Sequence, residues 1–448
     1  MSDSKTKLTV SSKTYLTGAP PDIQHRVMDH LTIENPLYLD AIKAERFTGY
    51  LEQYLCFYEQ TPAGLAVPRG WTAGLIDLLR GQGIEPVIED RRLVLLPLDL
   101  AFTGELRPYQ QRAFDAVIRR EHGCVCIPTG GGKTVVALAV IAHRQQPTLI
   151  LVHTKELVYQ WRDRIGQFLG VDAGQLGDGK FDLQPITVGV INTARSRLDE
   201  LHGRFGQVIV DECHRCPSAM FTEVVSSLNA KYLLGLSATP YRRDGLTAVI
   251  HWFLGAEVAR VHDAELQRLG AILKPEVIRV ETAFDTGLDP SRDYQQMISR
   301  LTLNEGRNYL IADTVVENAN GQGTSLVVSD RLAHCKTLAG LVESVGLTTA
   351  LLTGRTPRKE RQEIVEDVQA GRVQVLVATA QLLGEGFDCS GLSTLFLATP
   401  MRFTGRVKQV VGRILRPAEG KRARVFDFVD NRIGMLANQA KYRWRDFV

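Results

Sequence analysis

The chain is 448 residues long, 44% hydrophobic and 23% charged. That is more than one compact core holds, and it predicts two or three domains of ordinary globular composition. Its formal charge of +3 is too weak to identify a partner, so any nucleic-acid surface has to be local. No apolar run is long enough to cross a bilayer, residues 1–5 lack the apolar stretch of a secretory signal, and the seven cysteines are irregularly spaced; these features predict a reducing, cytoplasmic setting with no membrane partner.

Residues 1–104 read as a small α+β domain. They carry Tyr38, Phe47, Tyr50, Tyr54, Phe57, Tyr58 and Trp71, taken as core rather than as a base-stacking platform because large aromatics dominate cores. Pro68-Arg69-Gly70 precedes a helical stretch, Ala73–Gln82, and an apolar segment, Leu93–Leu98. Next comes Arg107-Pro108-Tyr109-Gln110. The Gln110 amide has the paired donor and acceptor that read an adenine edge, and Arg107 can support or stack on the base. A capped helix start with exposed polar groups would look the same.

Residues 105–272 alternate apolar runs with amphipathic stretches. Strands are predicted at Thr148–His153, Ile186–Ile191, Gln207–Val210 and Tyr232–Leu236, and helices at Lys133–His143, Lys155–Phe168 and Pro217–Leu228. This is the pattern of a parallel sheet with crossover helices. Directly after the apolar run Cys124–Cys126 stands Ile127-Pro128-Thr129-Gly130-Gly131-Gly132-Lys133-Thr134. Three glycines let successive N–H groups approach phosphate oxygens. Lys133 can reach the β- and γ-phosphates, Thr134 can ligate Mg²⁺, and the helix that begins here adds its positive end. The first glycine of the usual pattern is Ile127.

Val208-Ile209-Val210-Asp211-Glu212-Cys213-His214 is an apolar strand ending in two carboxylates. Asp211 at the strand end suits Mg²⁺, and Glu212 can orient and deprotonate an attacking water. Cys213 and Cys216 have half of a zinc-ligand spacing, but no second pair follows at a suitable distance. Ser237-Ala238-Thr239 follows the next strand and can sense the hydrolysis site.

Residues 273–448 restart the alternation after a join near Gly270–Pro275. Strands are predicted at Ser325–Ser329, Thr348–Leu352, Gln374–Ala378, Thr394–Ala398 and Arg424–Phe428. Helices are predicted at Glu305–Asn320, Leu332–Val345, Pro357–Ala370 and Gly405–Leu415. Gly384–Asp388 suits a tight loop near a ligand, with Gly386 giving close approach and Asp388 accepting from a ribose hydroxyl. Gln409, Arg413 and Arg416 lie on neighbouring helical turns; the arginines can neutralise transition-state charge, or simply form a solvated basic face. The segment from Arg402 to Arg445 is basic, and phosphate contact or plain solvation fits it equally.

In this order the residues resemble superfamily 2 helicases and translocases over about three-quarters of the chain, from Arg107 onward. Arg107–Gln110 is similar to a Q-motif, Pro128–Thr134 to motif I, His153–Leu157 to motif Ia and Asp211–His214 to motif II in DECH form. Ser237–Thr239 is similar to motif III, Ser325–Asp330 to motif IV, Val377–Asp388 to motif V and Gln409–Arg416 to motif VI. Within the superfamily the chain resembles the XPB-like and phage UvsW-like branch. Its N-terminal domain, with Leu65–Gly70, is similar in position and size to that branch's damage-recognition-like DNA-binding domain. Arg242-Arg243-Asp244 stands where XPB-like proteins carry Arg-Glu-Asp, with Arg243 in place of the acid.

The resemblance implies two tandem RecA-like parallel-sheet domains behind a small α+β N-terminal domain, with ATP and Mg²⁺ as cofactors. Phosphates would be held by Pro128, Thr129, Gly130, Gly131, Gly132, Lys133 and Thr134, and the metal by Thr134 and Asp211. Catalysis would fall to Glu212, Asp211, Lys133, Gln409, Arg413 and Arg416. Nucleic acid would meet His153, Thr154, Lys155, Thr193, Arg195 and Arg243, then Thr353, Gly354, Arg355 and Thr379, mostly through sugar and phosphate. The implied activity is an ATP-dependent DNA helicase or translocase on forked, branched or duplex DNA, in repair, recombination or defence. No nuclease motif stands in the remaining sequence, so cleavage would need a partner such as a nuclease or a repair or defence complex. An RNA helicase, or a nucleotide-dependent clamp or scaffold, is the alternative; Arg243 keeps the clamp open.

Overall fold

The computed structural model describes residues 5–215, 219–239, 245–319, 323–383, 391–401, 411–412 and 421–445. Arg243, Gly386, Asp388, Gln409, Arg413 and Arg416 lie outside the described residues, as does most of the predicted helix Gly405–Leu415. The chain forms two compact units, Met1–Ile127 with Gly132–Val261, and His262–Val448 with Pro128–Gly131.

The first unit contains an eight-stranded sheet. Its order is Lys180–Asp182, Gly174–Gly177, Ile186–Val190, Thr148–Val152, Gln207–Val210, Tyr232–Ser237, His122–Cys126 and Glu257–Arg260. All neighbours run parallel except the first pair, an antiparallel hairpin. Thr148–Val152 and Gln207–Val210 are buried on both faces, which is why Leu149–Val152 and Val208–Val210 read as unbroken apolar runs. The helix after the phosphate loop, Lys133–Arg144, buries every residue from Val136 to Ala142. It can do so because Ala137, Ala139 and Ala142 let neighbouring elements approach closely.

A second sheet in this unit belongs to the N-terminal residues: Glu59–Thr61, Gly64–Pro68, Lys13–Thr17, Lys7–Val10 and Val87–Asp90. It packs on the helix Thr247–Leu254 and shares one apolar core with the larger sheet. Gly70 fits the turn between sheet and helix because it has no side chain; a Cβ there would stand 2.4 Å from the Gly255 nitrogen and 2.7 Å from the Phe253 carbonyl carbon. Arg69 is buried and reaches across, donating from one nitrogen to the Ser11 carbonyl at 3.0 Å and to the Ala230 carbonyl at 2.6 Å. Burial pulls its guanidinium down to about 9. His122 lies nearby, and burial, with Arg69 and Arg92 beside it, holds its imidazole well below the ordinary range.

The aromatic expectation is corrected here. Phe57, Tyr58 and Trp71 pack against the core, but Phe47 and Tyr50 are 79% and 94% exposed and touch each other edge to face. They sit in an irregular stretch between the helix Pro36–Lys43 and the strand Tyr54–Cys56, where no element covers them. The apolar segment Leu93–Leu98 forms no strand of a sheet; an isolated bridge joins Leu93 to Ala230, the Leu95 and Leu98 backbones bond Gln146 and Gln145, and Leu96 is exposed.

The second unit has a six-stranded, fully parallel sheet. Its order is Glu276–Glu281, Arg424–Val429, Leu392–Leu397, Thr324–Ser329, Val375–Thr379 and Thr349–Leu352. At one strand end Asp430 meets buried Arg307 at 2.8 Å, accepts from Thr282 at 2.5 Å, and Arg307 also donates to the Ala398 carbonyl. Beside it a neutral chain runs through His334. Nε2–H donates to Asn308 at 2.9 Å, Nδ1 accepts from Ser329 at 2.9 Å, and Ser329 in turn accepts from the Arg331 N–H. Burial, then Arg307, pushes the His334 imidazole down to about 3.

Two outcomes follow. Gly70→Ala forces Cβ into backbone and lowers the stability of the first unit by about 1–3 kcal/mol, read as a fall in Tm with a red shift of Trp71 and Trp252 emission. His334 is neutral when folded and ordinary, near 6.5, when unfolded. Its contribution is therefore complete above pH 6.5 and is lost as pH falls towards 3, by about 1.4 kcal/mol per pH unit. Denaturant melts of wild type and His334→Gln between pH 7 and 4 should show the shallower slope in the variant.

Candidate nucleotide-binding site

The loop Pro128–Gly132 leaves the strand His122–Cys126 and feeds the helix Lys133–Arg144. Gly130 and Gly132 take left-handed backbone, with φ of 86° and 84°, which a side chain would strain. A Cβ on Gly132 would also meet the Gln110 amide nitrogen at 2.3 Å. Gln110 is buried, and its Oε1 accepts the Arg107 N–H at 2.9 Å, so one side chain both starts its own helix and backs the loop. Arg107 is exposed at that helix start.

Asp211 follows the strand Gln207–Val210, and its N–H donates to the Leu151 carbonyl. The carboxylate is 7% exposed. Oδ1 accepts the Glu212 N–H at 2.9 Å and Oδ2 accepts the Trp161 indole N–H at 2.8 Å. Burial and then the Glu212 charge push this carboxyl up to about 6; Lys133, the indole and the Glu212 amide pull the other way.

Glu212 has φ of 49°, a left-handed conformation that costs a non-glycine residue about 1 kcal/mol. That turn brings its carboxylate between two other motifs. Oε1 lies 3.3 Å from Lys133 Nζ, and Oε2 lies 3.3 Å from His214 Nδ1. His214 Nδ1 is also 3.0 Å from the Ser237 hydroxyl. Ser237 donates its one proton to the Thr239 carbonyl at 2.6 Å and accepts the Thr239 N–H, so the hydrogen between His214 and Ser237 belongs to the histidine. Lys133 with Glu212, and His214 with Ser237 and Thr239, are thus two bonded groups that meet where His214 Nδ1 stands 3.3 Å from Glu212 Oε2.

The donors fit a hard divalent cation. Asp211 offers buried carboxylate oxygens at the strand end, and Thr134 stands in the first turn of the loop helix. Among the described residues no group of three or more His, Cys, Asp or Glu side chains could hold a metal by itself. A cation here would therefore complete its shell from hydroxyl, water and phosphate oxygens.

The candidate nucleic-acid residues are spread over both units. In the first, His153 Nε2 approaches the Glu212 carbonyl at 3.4 Å, Thr154 caps the helix Lys155–Leu169 by accepting the Leu157 N–H, and exposed Lys155 lies 3.6 Å from Asp178. Thr193 and Arg195 sit on a short helix, and Arg195 pairs with Glu223 at 2.7 Å. In the second, Thr353 closes a turn by accepting the Arg355 N–H, Gly354 and Arg355 are exposed, and Thr379 ends its strand. Trp161 was not singled out from the sequence. Its signal was a buried stripe, Val158, Trp161, Ile165 and Leu169, on an amphipathic helix, which reads as core.

Among the described residues no helix is long and apolar enough to cross a membrane. Residues 103–242 match the family described as type III restriction enzyme, res subunit, and residues 307–418 match the helicase conserved C-terminal domain. A probable helicase of Escherichia phage T5 is 29% identical over 77% of this chain and 76% of its own. DNA 3'-5' translocase XPB2 of Sulfurisphaera tokodaii is 38% identical over 36% of this chain and 37% of its own. S. cerevisiae Dbp5, solved bound to RNA and ADP BeF3, shares the fold with a TM-score of 0.56 and 16% identity over 76% of this chain and 88% of that one. The paired sheets are RecA-like, and the chain belongs to the superfamily 2 helicases, on the branch that includes XPB-like and phage helicases.

Proposed function

We propose that the protein is an ATP-dependent DNA translocase or helicase that couples nucleotide hydrolysis to remodelling of forked, branched or duplex DNA, in repair, recombination or defence. The observation that carries this reading is the Lys133–Glu212–His214–Ser237 cluster beside the buried Asp211 carboxylate. An incoming γ-phosphate competes with Glu212 for the Lys133 ammonium. Release of that ion pair frees Glu212 Oε1 to accept a proton from water. The water oxygen attacks the γ-phosphorus, the bond to the β–γ bridging oxygen breaks, and the water proton passes to Glu212. Mg²⁺ held by Thr134 and Asp211 supplies charge neutralisation on the phosphates when bound. His214, fixed as a donor on Ser237, links the state of Glu212 to the strand end at Thr239. Gln110 braces the phosphate loop and, with Arg107, borders the base. Gln409, Arg413 and Arg416 serve in this reading as charge-neutralising partners of the phosphates, and Gly386 and Asp388 as ribose contacts.

DNA is the proposed partner, held through phosphates by Lys155, Arg195 and Arg243 with His153, Thr154 and Thr193 in the first unit, and by Arg355 with Thr353, Gly354 and Thr379 in the second. A nuclease or repair or defence complex is the proposed kind of protein partner. The XPB-type relatives favour DNA over RNA as the substrate.

Steady-state ATPase with single-stranded DNA, forked DNA or RNA tests the reading. Forked DNA should stimulate turnover, and Lys133→Ala and Glu212→Gln should each lower kcat by about 10²–10⁴-fold, with Glu212→Gln still binding nucleotide. Stimulation by RNA alone would transfer the reading to an RNA helicase, and ATPase without strand displacement on any fork would favour a clamp. Lys155→Ala and Arg355→Ala should each reduce the slope of log affinity against log salt by about one, uniformly across DNA sequences.

A further inference from the structure

One short segment touches the Asp211–Glu212 pair at three points. The Leu151 carbonyl accepts the Asp211 N–H at 3.0 Å, His153 Nε2 approaches the Glu212 carbonyl at 3.4 Å, and the Trp161 indole donates to Asp211 Oδ2 at 2.8 Å. The first two contacts come from a strand and its end; the third comes from the second turn of the helix Lys155–Leu169. Trp161 is 2% exposed and is the largest fully buried side chain of the described residues. It shares the buried face of its helix with Val158, Ile165 and Leu169, so a shift of that face carries the indole with it. The helix starts one turn earlier at exposed Lys155, whose ammonium lies 3.6 Å from Asp178.

Trp161 is an unusual choice for a residue that only fills space. Its single polar atom is a donor with no acceptor capacity, and it is spent on a carboxylate rather than on a backbone carbonyl. An N–H···O bond weakens steeply when its donor is displaced or tilted, so a sub-ångström shift of the helix changes the Asp211 carboxylate before it changes the packing. We infer that Trp161 is a positioning residue that transmits occupancy of the Lys155 end of its helix to Asp211, so that nucleic acid on that surface sets the carboxylate for nucleotide turnover. This deepens the proposed function and rests on it.

Trp161→Phe keeps an aromatic ring on the buried face and removes the donor, together with part of the indole volume. The expected result is a fall in kcat of about tenfold, a rise of similar size in the Mg²⁺ concentration for half-maximal rate, and a DNA stimulation factor that collapses towards one. The KM for ATP at saturating Mg²⁺ should change little. A residue that only packs would leave the Mg²⁺ dependence and the stimulation factor untouched, and that result overturns the inference. The second measurement needs no turnover. Wild type carrying 5-fluorotryptophan gives one ¹⁹F signal for each of its four tryptophans, and the Trp161 signal is identified by its loss in Trp161→Phe. Forked DNA without nucleotide should move that signal; a signal that stays put while DNA is bound overturns the coupling. Wild type that hydrolyses no ATP with any nucleic acid overturns the functional reading instead, whatever the ¹⁹F spectrum shows.

Discussion

A carboxylate buried at the end of an apolar strand must be answered by donors or cations, and much of the first unit is arranged as that answer. Asp211 lies where three parallel strands end, out of reach of bulk water. It takes an indole N–H on one oxygen and a backbone N–H on the other. The backbone donor belongs to Glu212, which has to adopt a left-handed turn to present it. The turn in turn throws the Glu212 carboxylate towards Lys133 and His214. The strain at Glu212, about 1 kcal/mol, is thus offset by contacts that exist only because of it. Phosphate loop, carboxylate pair and serine turn are coupled through this one residue.

The second unit meets the same demand with different chemistry. Its strand ends hold a paired ion, Arg307 with Asp430, and a neutral relay through Asn308, His334 and Ser329. Every member of the relay has a partner, which is the condition under which a buried polar network rigidifies a fold rather than weakening it. The ion pair satisfies Thr282 and the Ala398 carbonyl as well. These groups tie the helix Glu305–Asn318 to the ends of the strands, so sheet and helix are held as one piece.

The central strands were legible because burial on both faces leaves a run such as Leu149–Val152 with no polar residue to break it. Strands at the sheet margins were not. Gly174–Gly177 and Lys180–Asp182 are glycine-rich or charged, and Glu257–Arg260 pairs its ends in an ion pair that reads as a solvated turn. Lys133, Asp211 and Glu212 were legible because contiguous residues carry them. The wiring among them was not, since Trp161 and Asp211 are separated by 50 positions and meet only when adjacent strands have paired. The N-terminal aromatics divide for a related reason. Composition counts Phe47 and Phe57 alike, while only the latter faces Trp252 and Phe253.

The close approach of Gly70 to the backbone of Gly255 has a mechanical meaning. Two chain segments that touch without side chains between them have no rotamers to absorb load, and buried Arg69 pins the same seam to Ser11 and Ala230. The N-terminal sheet is therefore not a pendant on a tether. It is fixed to the helix Thr247–Leu254 and the larger sheet of its unit through backbone in direct contact, and only the irregular stretch that carries Phe47 and Tyr50 lies outside that seam.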